Sequence, residues 1–177
     1  MRRVTTISQT RTTNDLPSAT LGKRRATPFT YTPSLLEAIP FRTVTGEGPT
    51  WVSNACLRFT SLCPVTGQPD WADIHLNYVP HQHLVESKSL KEYLGSFRMH
   101  GDFHEDVIRT ICRDLAACMK PRYLEVMGHF DSRGSIAIWP YAQFARPRDT
   151  WAAKLRDQRF AAYRPGAWAP DAYGRHI

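Results

Sequence analysis

No apolar run in this sequence approaches the roughly 18 to 20 residues that span a bilayer. The N-terminus, MRRVTTISQT, carries two arginines but lacks the apolar stretch of a signal peptide. A cytoplasmic protein without membrane attachment is expected. Cysteine is scarce: Cys56, Cys63, Cys112 and Cys118 stand seven, forty-nine and six residues apart, and no C-x-x-C pair marks a structural zinc site. His81, His83, His100 and His104 cluster along the chain, but H-x-H without a well-spaced cysteine or third histidine is a weak ligand pattern, so no metal is expected. An intracellular chain gains little from disulfides, which turns the question to which thiol reacts. Missing too are internal repeats and any G-x-G-x-x-G phosphate-binding fingerprint.

What is present is an ordinary globular composition, 177 residues with 42% hydrophobic and 22% charged side chains. The formal charge of +7 invites a nucleic-acid partner, but its distribution argues otherwise. Residues 1–33 carry six Lys/Arg against Asp15, and residues 145–177 carry seven against three aspartates. Residues 34–144 hold ten basic and twelve acidic side chains, a net of −2. The expected organisation is a flexible basic tail over 1–33, a catalytic domain over 34–144 and a C-terminal extension over 145–177. No direct nucleic-acid binding is expected.

Periodicity places the elements. Val52 to Ser61 reads as a strand, closed by the turn-rich run Cys63-Pro-Val-Thr-Gly-Gln-Pro-Asp70. In Ala72 to Val79, Ile74, Leu76 and Tyr78 alternate with Asp73, His75 and Asn77, the period of a half-buried strand. Ser89 and Glu92 have capping-box spacing, predicting a helix over Ser89–Arg98. Val107, Ile108, Ile111, Leu115 and Met119 share one face of a second helix, Phe103–Met119, which Pro121 terminates. Tyr123–Phe130 and Ser135–Tyr141 read as strands joined by the turn Asp131-Ser-Arg-Gly134, and a short helix near Ala152–Ala162 follows. The order strand-strand-helix-helix-strand-strand gives an α+β fold with an antiparallel sheet. Its two open edges favour self-association.

Three constellations carry chemistry. Cys63 ends a strand and opens a loop shaped by Pro64, Gly67 and Pro69, which can fold Asp70 back toward the thiol. A cysteine is strongly nucleophilic as its thiolate, and a carboxylate beside it can take and return the proton. A buried cysteine with an ordinary turn aspartate is the bland alternative. In Glu86-Ser-Lys-Ser-Leu-Lys-Glu-Tyr93, Lys88 and Lys91 sit where the helix dipole disfavours cations. Their placement makes sense if an anion binds, the more so if the Arg133-Gly134 turn lies beside it; otherwise this is a solvated helix face. In His100-Gly-Asp-Phe-His-Glu-Asp106, Asp102 and Glu105 have the spacing of an N-cap and its return partner. Alternatively, His104 and Glu105 point into a pocket, where an ionised glutamate could accept two hydrogen bonds from a guanine-like N–H edge.

Across residues 53–141 these motifs resemble the NADPH-dependent 7-cyano-7-deazaguanine reductases of queuosine biosynthesis, in their short single-domain form. The resemblance rests on Phe59–Asp70, Val85–Tyr93 and Ser96–Asp106, with the Glu-Ser-Lys-Ser-x-Lys stretch as its most specific part. It implies the tunnelling fold (T-fold), in which such units assemble into oligomeric barrels with sites between subunits. It also implies that Cys63 adds to the nitrile of 7-cyano-7-deazaguanine to give a thioimide, with Asp70 handling the proton. Two NADPH molecules would then reduce the adduct to the 7-aminomethyl product. By motif, Val85, Glu86, Ser87, His104 and Glu105 would hold the base, and Ser87, Lys88, Arg133 and Gly134 would touch NADPH. Other enzymes of the fold, zinc-dependent cyclohydrolases and amidine-forming enzymes on purine-like substrates, are the rival reading. An RNA-binding module led by the basic tails is the third.

Overall fold

The computed structural model describes residues 29–43 and 46–163. The expected tail lies outside the described residues as far as residue 28, as do residues 164–177. Along the chain run β1 (Ala38–Pro40), β2 (Val52–Leu62), β3 (Pro69–Val79), β4 (His83–Val85), α1 (Ser87–Gly95), α2 (His104–Met119), β5 (Tyr123–Phe130), β6 (Tyr141–Ala145) and α3 (Thr150–Ala162). The main sheet is antiparallel, in the order β2-β3-β5-β6, and β1 pairs with β4 in a separate two-stranded sheet. The predicted order of the main elements holds; the small β1–β4 sheet is an addition that three-residue strands do not announce by periodicity. No helix among the described residues is long and apolar enough to cross a membrane.

The core lies between one face of the main sheet and α1–α2. The predicted α2 stripe is fully buried, with Val107, Ile108, Ile111 and Leu115 at 0% exposure. It packs on Ile74, Leu76 and Tyr78 of β3 and on Leu124, Val126 and Phe130 of β5. Gly128 interrupts the β5 row for a reason: a Cβ there would stand 2.6 Å from Ile108 Cδ1, so the missing side chain lets α2 settle onto the sheet. Lys120 ends the helix in the left-handed conformation (φ 49°) just before Pro121.

The other face of the sheet is not solvated as the alternation in β3 suggests. His75 and Asn77 are 4% and 5% exposed, and Glu125 is fully buried. α3 packs against β5 and β6, and its Arg159 binds both Glu125 carboxylate oxygens, at 3.0 and 2.6 Å. Tyr123, Tyr141 and Asn77 donate to the same carboxylate. Five hydrogen bonds thus compensate a charge that burial alone would disfavour.

Three local expectations are corrected. α1 starts earlier than Ser89, because the Glu86 side chain is its N-cap, accepting from the N–H groups of Lys88 (2.9 Å) and Ser89 (2.6 Å). The Ser89 hydroxyl is committed elsewhere, donating to Glu86 O and accepting from the Glu37 N–H at 3.0 Å. For α2, the Asp102–Glu105 capping box does not form. Asp102 donates its N–H to Leu62 O and accepts from the Phe103 N–H, so the helix begins two residues later with no side-chain cap. The last strand of the main sheet is Tyr141–Ala145 rather than Ser135–Tyr141. Gly134 and Ser135, both at positive φ (57° and 71°), fold Ile136 back onto Arg133, and pairing with β5 resumes only at Tyr141 opposite Met127.

Candidate active site

A one-residue irregularity in β2 decides which way its end faces. Cys56 pairs with Ile74 but Phe59 pairs with Ala72, so β2 carries one extra residue between them. Arg58 sits in that bulge at φ 61°, and Asp73 Oδ1 accepts its N–H at 3.0 Å. Side chains alternate along a strand, so an extra residue exchanges the faces beyond it. Before the bulge, the even-numbered Val52 and Cys56 pack against the core; after it, Phe59 lies in the core and Ser61 and Cys63 are buried. Asp70 is opposite Ser61 and belongs to the same row of β3 as Ala72 and Ile74. The bulge therefore places Cys63 and Asp70 on the helix side of the sheet.

The loop between them is built to hold the sulfur. Cys63 N–H donates to Gln68 O at 2.8 Å, Cys63 O accepts from the Gly67 N–H at 2.9 Å, and Gly67 takes the positive φ (68°) that closes the turn. Cys63 is 8% exposed yet stands outside the hydrophobic core cluster. Its thiol is pulled down to about 6, first by the Thr66 hydroxyl, then by the Arg133 guanidinium and the backbone N–H groups of Thr66 and Val65, against the opposing effect of burial. Burial pushes Cys56, Cys112 and Cys118 the other way. Cys63 is thus the one cysteine that ionises near neutrality.

α2 brings the next group. The end of β2 is tied to the segment before α2 through Leu62 N–H to His100 O (2.9 Å) and Asp102 N–H to Leu62 O (3.1 Å). This fixes His104, the first residue of α2, stacked on Phe130 with ring centroids 3.9 Å apart. Phe130 lies opposite Ala72, two residues from Asp70. His104 Nε2 reaches Asp70 Oδ2 at 3.1 Å, and Arg133 Nε stands 3.1 Å from Asp70 Oδ1. Neither approach has hydrogen-bond geometry, so both carboxylate oxygens of Asp70, 3% exposed, keep hydrogen-bonding capacity unspent. The same holds for both ring nitrogens of His104.

Of the predicted site residues, the fold brings together Cys63, Asp70, His104 and Arg133. Glu105 is exposed one residue along α2, and Gly134 forms the exposed turn beside Arg133. Val85, Glu86, Ser87 and Lys88 lie apart, with no hydrogen bond or ion pair to the Cys63 group. Val85 is buried at the end of β4, Glu86 caps α1, and Ser87 and Lys88 are exposed. A groove of about 370 Å³ between β2 and α1 is lined by Ser87, Lys91, Arg58 and Arg98 and by no acidic side chain. A larger cavity, about 830 Å³, opens at the far end of the sheet beside Val79, His81, Arg122 and Trp151, and none of the predicted site residues lines it. Sequence reasoning missed Thr66, which the motif contained without distinguishing it from a turn residue. It also missed the Arg58–Asp73 bulge, whose only local signal is a strand one residue too long.

Residues 69–149 match the family described as QueF-like protein. A protein of Bdellovibrio bacteriovorus named NADPH-dependent 7-cyano-7-deazaguanine reductase is 47% identical over 160 residues, covering 90% of this chain and 92% of its own. Proteins of the same name from Neisseria meningitidis and Porphyromonas gingivalis are 49% and 53% identical, over 75% and 66% of this chain and 83% and 75% of their own. In structure, the chain resembles the archaeosine synthase QueF-Like in its apo form, with a TM-score of 0.51 and 20% identity, over 55% of this chain and 95% of that one. That likeness is one of fold. With about half of the residues identical to the named reductases, over 90% of the chain in the first of them, the chain belongs to the family of NADPH-dependent 7-cyano-7-deazaguanine reductases.

Proposed function

We propose that this protein reduces the nitrile of 7-cyano-7-deazaguanine to the aminomethyl group, using NADPH, through a covalent adduct on Cys63. The observation that carries the chemistry is a cysteine held near neutral ionisation beside a buried carboxylate and an imidazole with unspent hydrogen-bonding capacity. A nitrile is a poor hydride acceptor, and adding a thiolate to its carbon converts it to an activated C=N bond. The thiolate forms the C–S bond and one proton goes to the nitrile nitrogen, so the thiol proton has in effect moved to nitrogen. Asp70 and His104 carry that proton. Stacking of His104 on Phe130 fixes the ring, and the strand register fixes Asp70, so the proton is delivered from a set direction.

The residues present suit a phosphate-bearing cofactor, because the groove at α1 gathers Ser87, Lys91, Arg58 and Arg98 with no opposing acid. Ser87 and Lys88, with the Arg133–Gly134 turn, are the groups that would hold NADPH, which supplies hydride when bound. Val85, Glu86, His104 and Glu105 form the base-binding set. Its members are split between the β4–α1 junction and the start of α2, which favours a site completed by a second copy of the chain. The two sheet edges, β2 and β6, are available for closing subunits into a tunnelling-fold barrel. Residues 34–144 then form the catalytic unit, with α3 of the C-terminal extension buttressing its sheet through Arg159.

The test mixes the protein with 7-cyano-7-deazaguanine without NADPH and records intact mass. The expected result is a mass increase equal to the substrate, lost in Cys63→Ala together with all turnover. A Cys63→Ala protein that still reduces the nitrile would exclude the thioimide route.

A further inference from the structure

Among the described residues three serines are buried, and two of them are bonded. Ser89 Oγ donates to Glu86 O at 2.8 Å, and Ser96 Oγ donates to Tyr93 O at 2.6 Å. Ser61 differs: it is 0% exposed, and its hydroxyl has no hydrogen-bond partner among the described residues. A buried hydroxyl left unsatisfied carries a cost that alanine would avoid, so its presence asks for a reason. Its place in the sheet supplies one. Ser61 stands directly opposite Asp70 in the β2–β3 pairing, so the two side chains leave the sheet as neighbours on the same face. Both Asp70 oxygens have hydrogen-bonding capacity to spare.

We infer that Ser61 is a positioning residue for Asp70, its hydroxyl hydrogen-bonding the carboxyl group as the proton arrives and as it leaves. The inference rests on Asp70 carrying the proton in the nitrile reaction. In that step the Cys63 sulfur forms the C–S bond, one π pair of the nitrile takes the proton from Asp70 at nitrogen, and Asp70 returns to carboxylate. The proton delivered is the one the thiol gave up, so the step balances. Asp70 has two further polar neighbours, and neither suits both of its protonation states. Arg133 Nε, 3.1 Å from Oδ1, has donors only and cannot accept from the protonated acid. His104 Nε2, 3.1 Å from Oδ2, competes for the proton itself. A hydroxyl donates to the carboxylate, accepts from the acid and stays neutral throughout. Rotation about Cβ–Oγ makes the change while the strand register stays fixed. With Ser61 in this role, the Arg133–Gly134 turn can engage NADPH without leaving Asp70 unpartnered. Fully buried, Ser61 acts through Asp70 and not on the substrate.

The experiment measures single-turnover adduct formation with 7-cyano-7-deazaguanine, without NADPH, on the full chain. In Ser61→Ala the rate should fall about tenfold, the worth of one hydrogen bond, with the half-saturating nitrile concentration unmoved. Ser61→Thr, which keeps the hydroxyl on a residue suited to strands, should recover most of that loss. In an Asp70→Asn background, Ser61→Ala should cost nothing further. Alkylation of Cys63 by iodoacetamide expels iodide and needs no delivered proton, so its rate should be the same in Ser61→Ala as in the unaltered protein. If Ser61→Ala slows alkylation as much as adduct formation, or keeps its full effect on top of Asp70→Asn, the serine only packs the strand and the role is overturned. A Ser61→Thr protein as slow as Ser61→Ala at an equal thermal midpoint overturns it as well. The infrared bands of the Asp70 carboxyl group, taken as the difference between the protein and Asp70→Asn with no nitrile present, should shift in Ser61→Ala. Unmoved bands remove the Ser61 contact and leave nitrile reduction standing. Shifted bands in a protein that forms no adduct support the contact and remove the nitrile chemistry instead.

Discussion

The α1 end of the molecule carries the more specific motif, yet it is at the Cys63 end that the fold brings the motif residues together. At the Cys63 end, four side chains from the β2–β3 loop, β3, the start of α2 and the β5–β6 loop converge through contacts within one chain. At the α1 end, Glu86 spends its carboxylate on the helix cap, which holds it below the usual carboxylate range, while Ser87 and Lys88 face outward. The lesson is that a reactive group needs its electrostatic partners fixed in the fold, because preorganisation is what activates it. A group that only grips a ligand can wait on the surface, and its geometry is completed by what binds.

That contrast is sharpened by changing one group at each end. Asp70→Asn keeps the shape of the carboxylate but cannot carry the proton, and should slow adduct formation and reduction by about a hundredfold, the low end for positioned acid–base groups. Single-turnover rates that stay put would place the proton elsewhere. At the other end, Lys88→Ala should raise the Michaelis constant for NADPH by about tenfold, the equivalent of one lost charge-assisted contact. Adduct formation without NADPH should remain at its original rate; a slowed adduct would join the two ends into one functional unit within the chain. The smallest effects are expected at the bulge that orients Cys63. Asp73→Ala removes the acceptor for the Arg58 N–H and should cost about 1 kcal/mol in denaturant unfolding. Arg58→Gly relieves a left-handed residue and should stabilise by about 1 kcal/mol. If Asp73→Ala leaves Cys63 alkylation untouched, the bulge is held by pairing alone.

Much of the architecture was legible because its causes are local. α2 is set by a 3.6-residue apolar stripe with a left-handed stop and a proline after it, and β5 was found with its bounds intact. Capping was read less well. Ser89 and Asp102 each had the right spacing, but their hydrogen bonds go to Glu37, 52 residues away, and to Leu62 across the site. The last strand was misplaced because two consecutive positive-φ residues, one of them a serine, reverse the chain at 134–135. The second face of the sheet was read as solvated because α3 and its Arg159 arrive from a segment to which no role could be given.

By itself, the sequence determined the order of the elements, the candidate thiol and the family, since period, motif and spacing are properties of neighbouring residues. The tertiary structure alone decided that Cys63 and Asp70 share a face and that Arg133 meets them there. The first depends on one unpaired residue in the register of β2 against β3, pinned by Arg58 and Asp73 fifteen residues apart. The second depends on a two-residue turn that aims a guanidinium across the end of the sheet. Both are long-range facts: a strand's alternation says which residues share a face, but only its partner strand says which face that is.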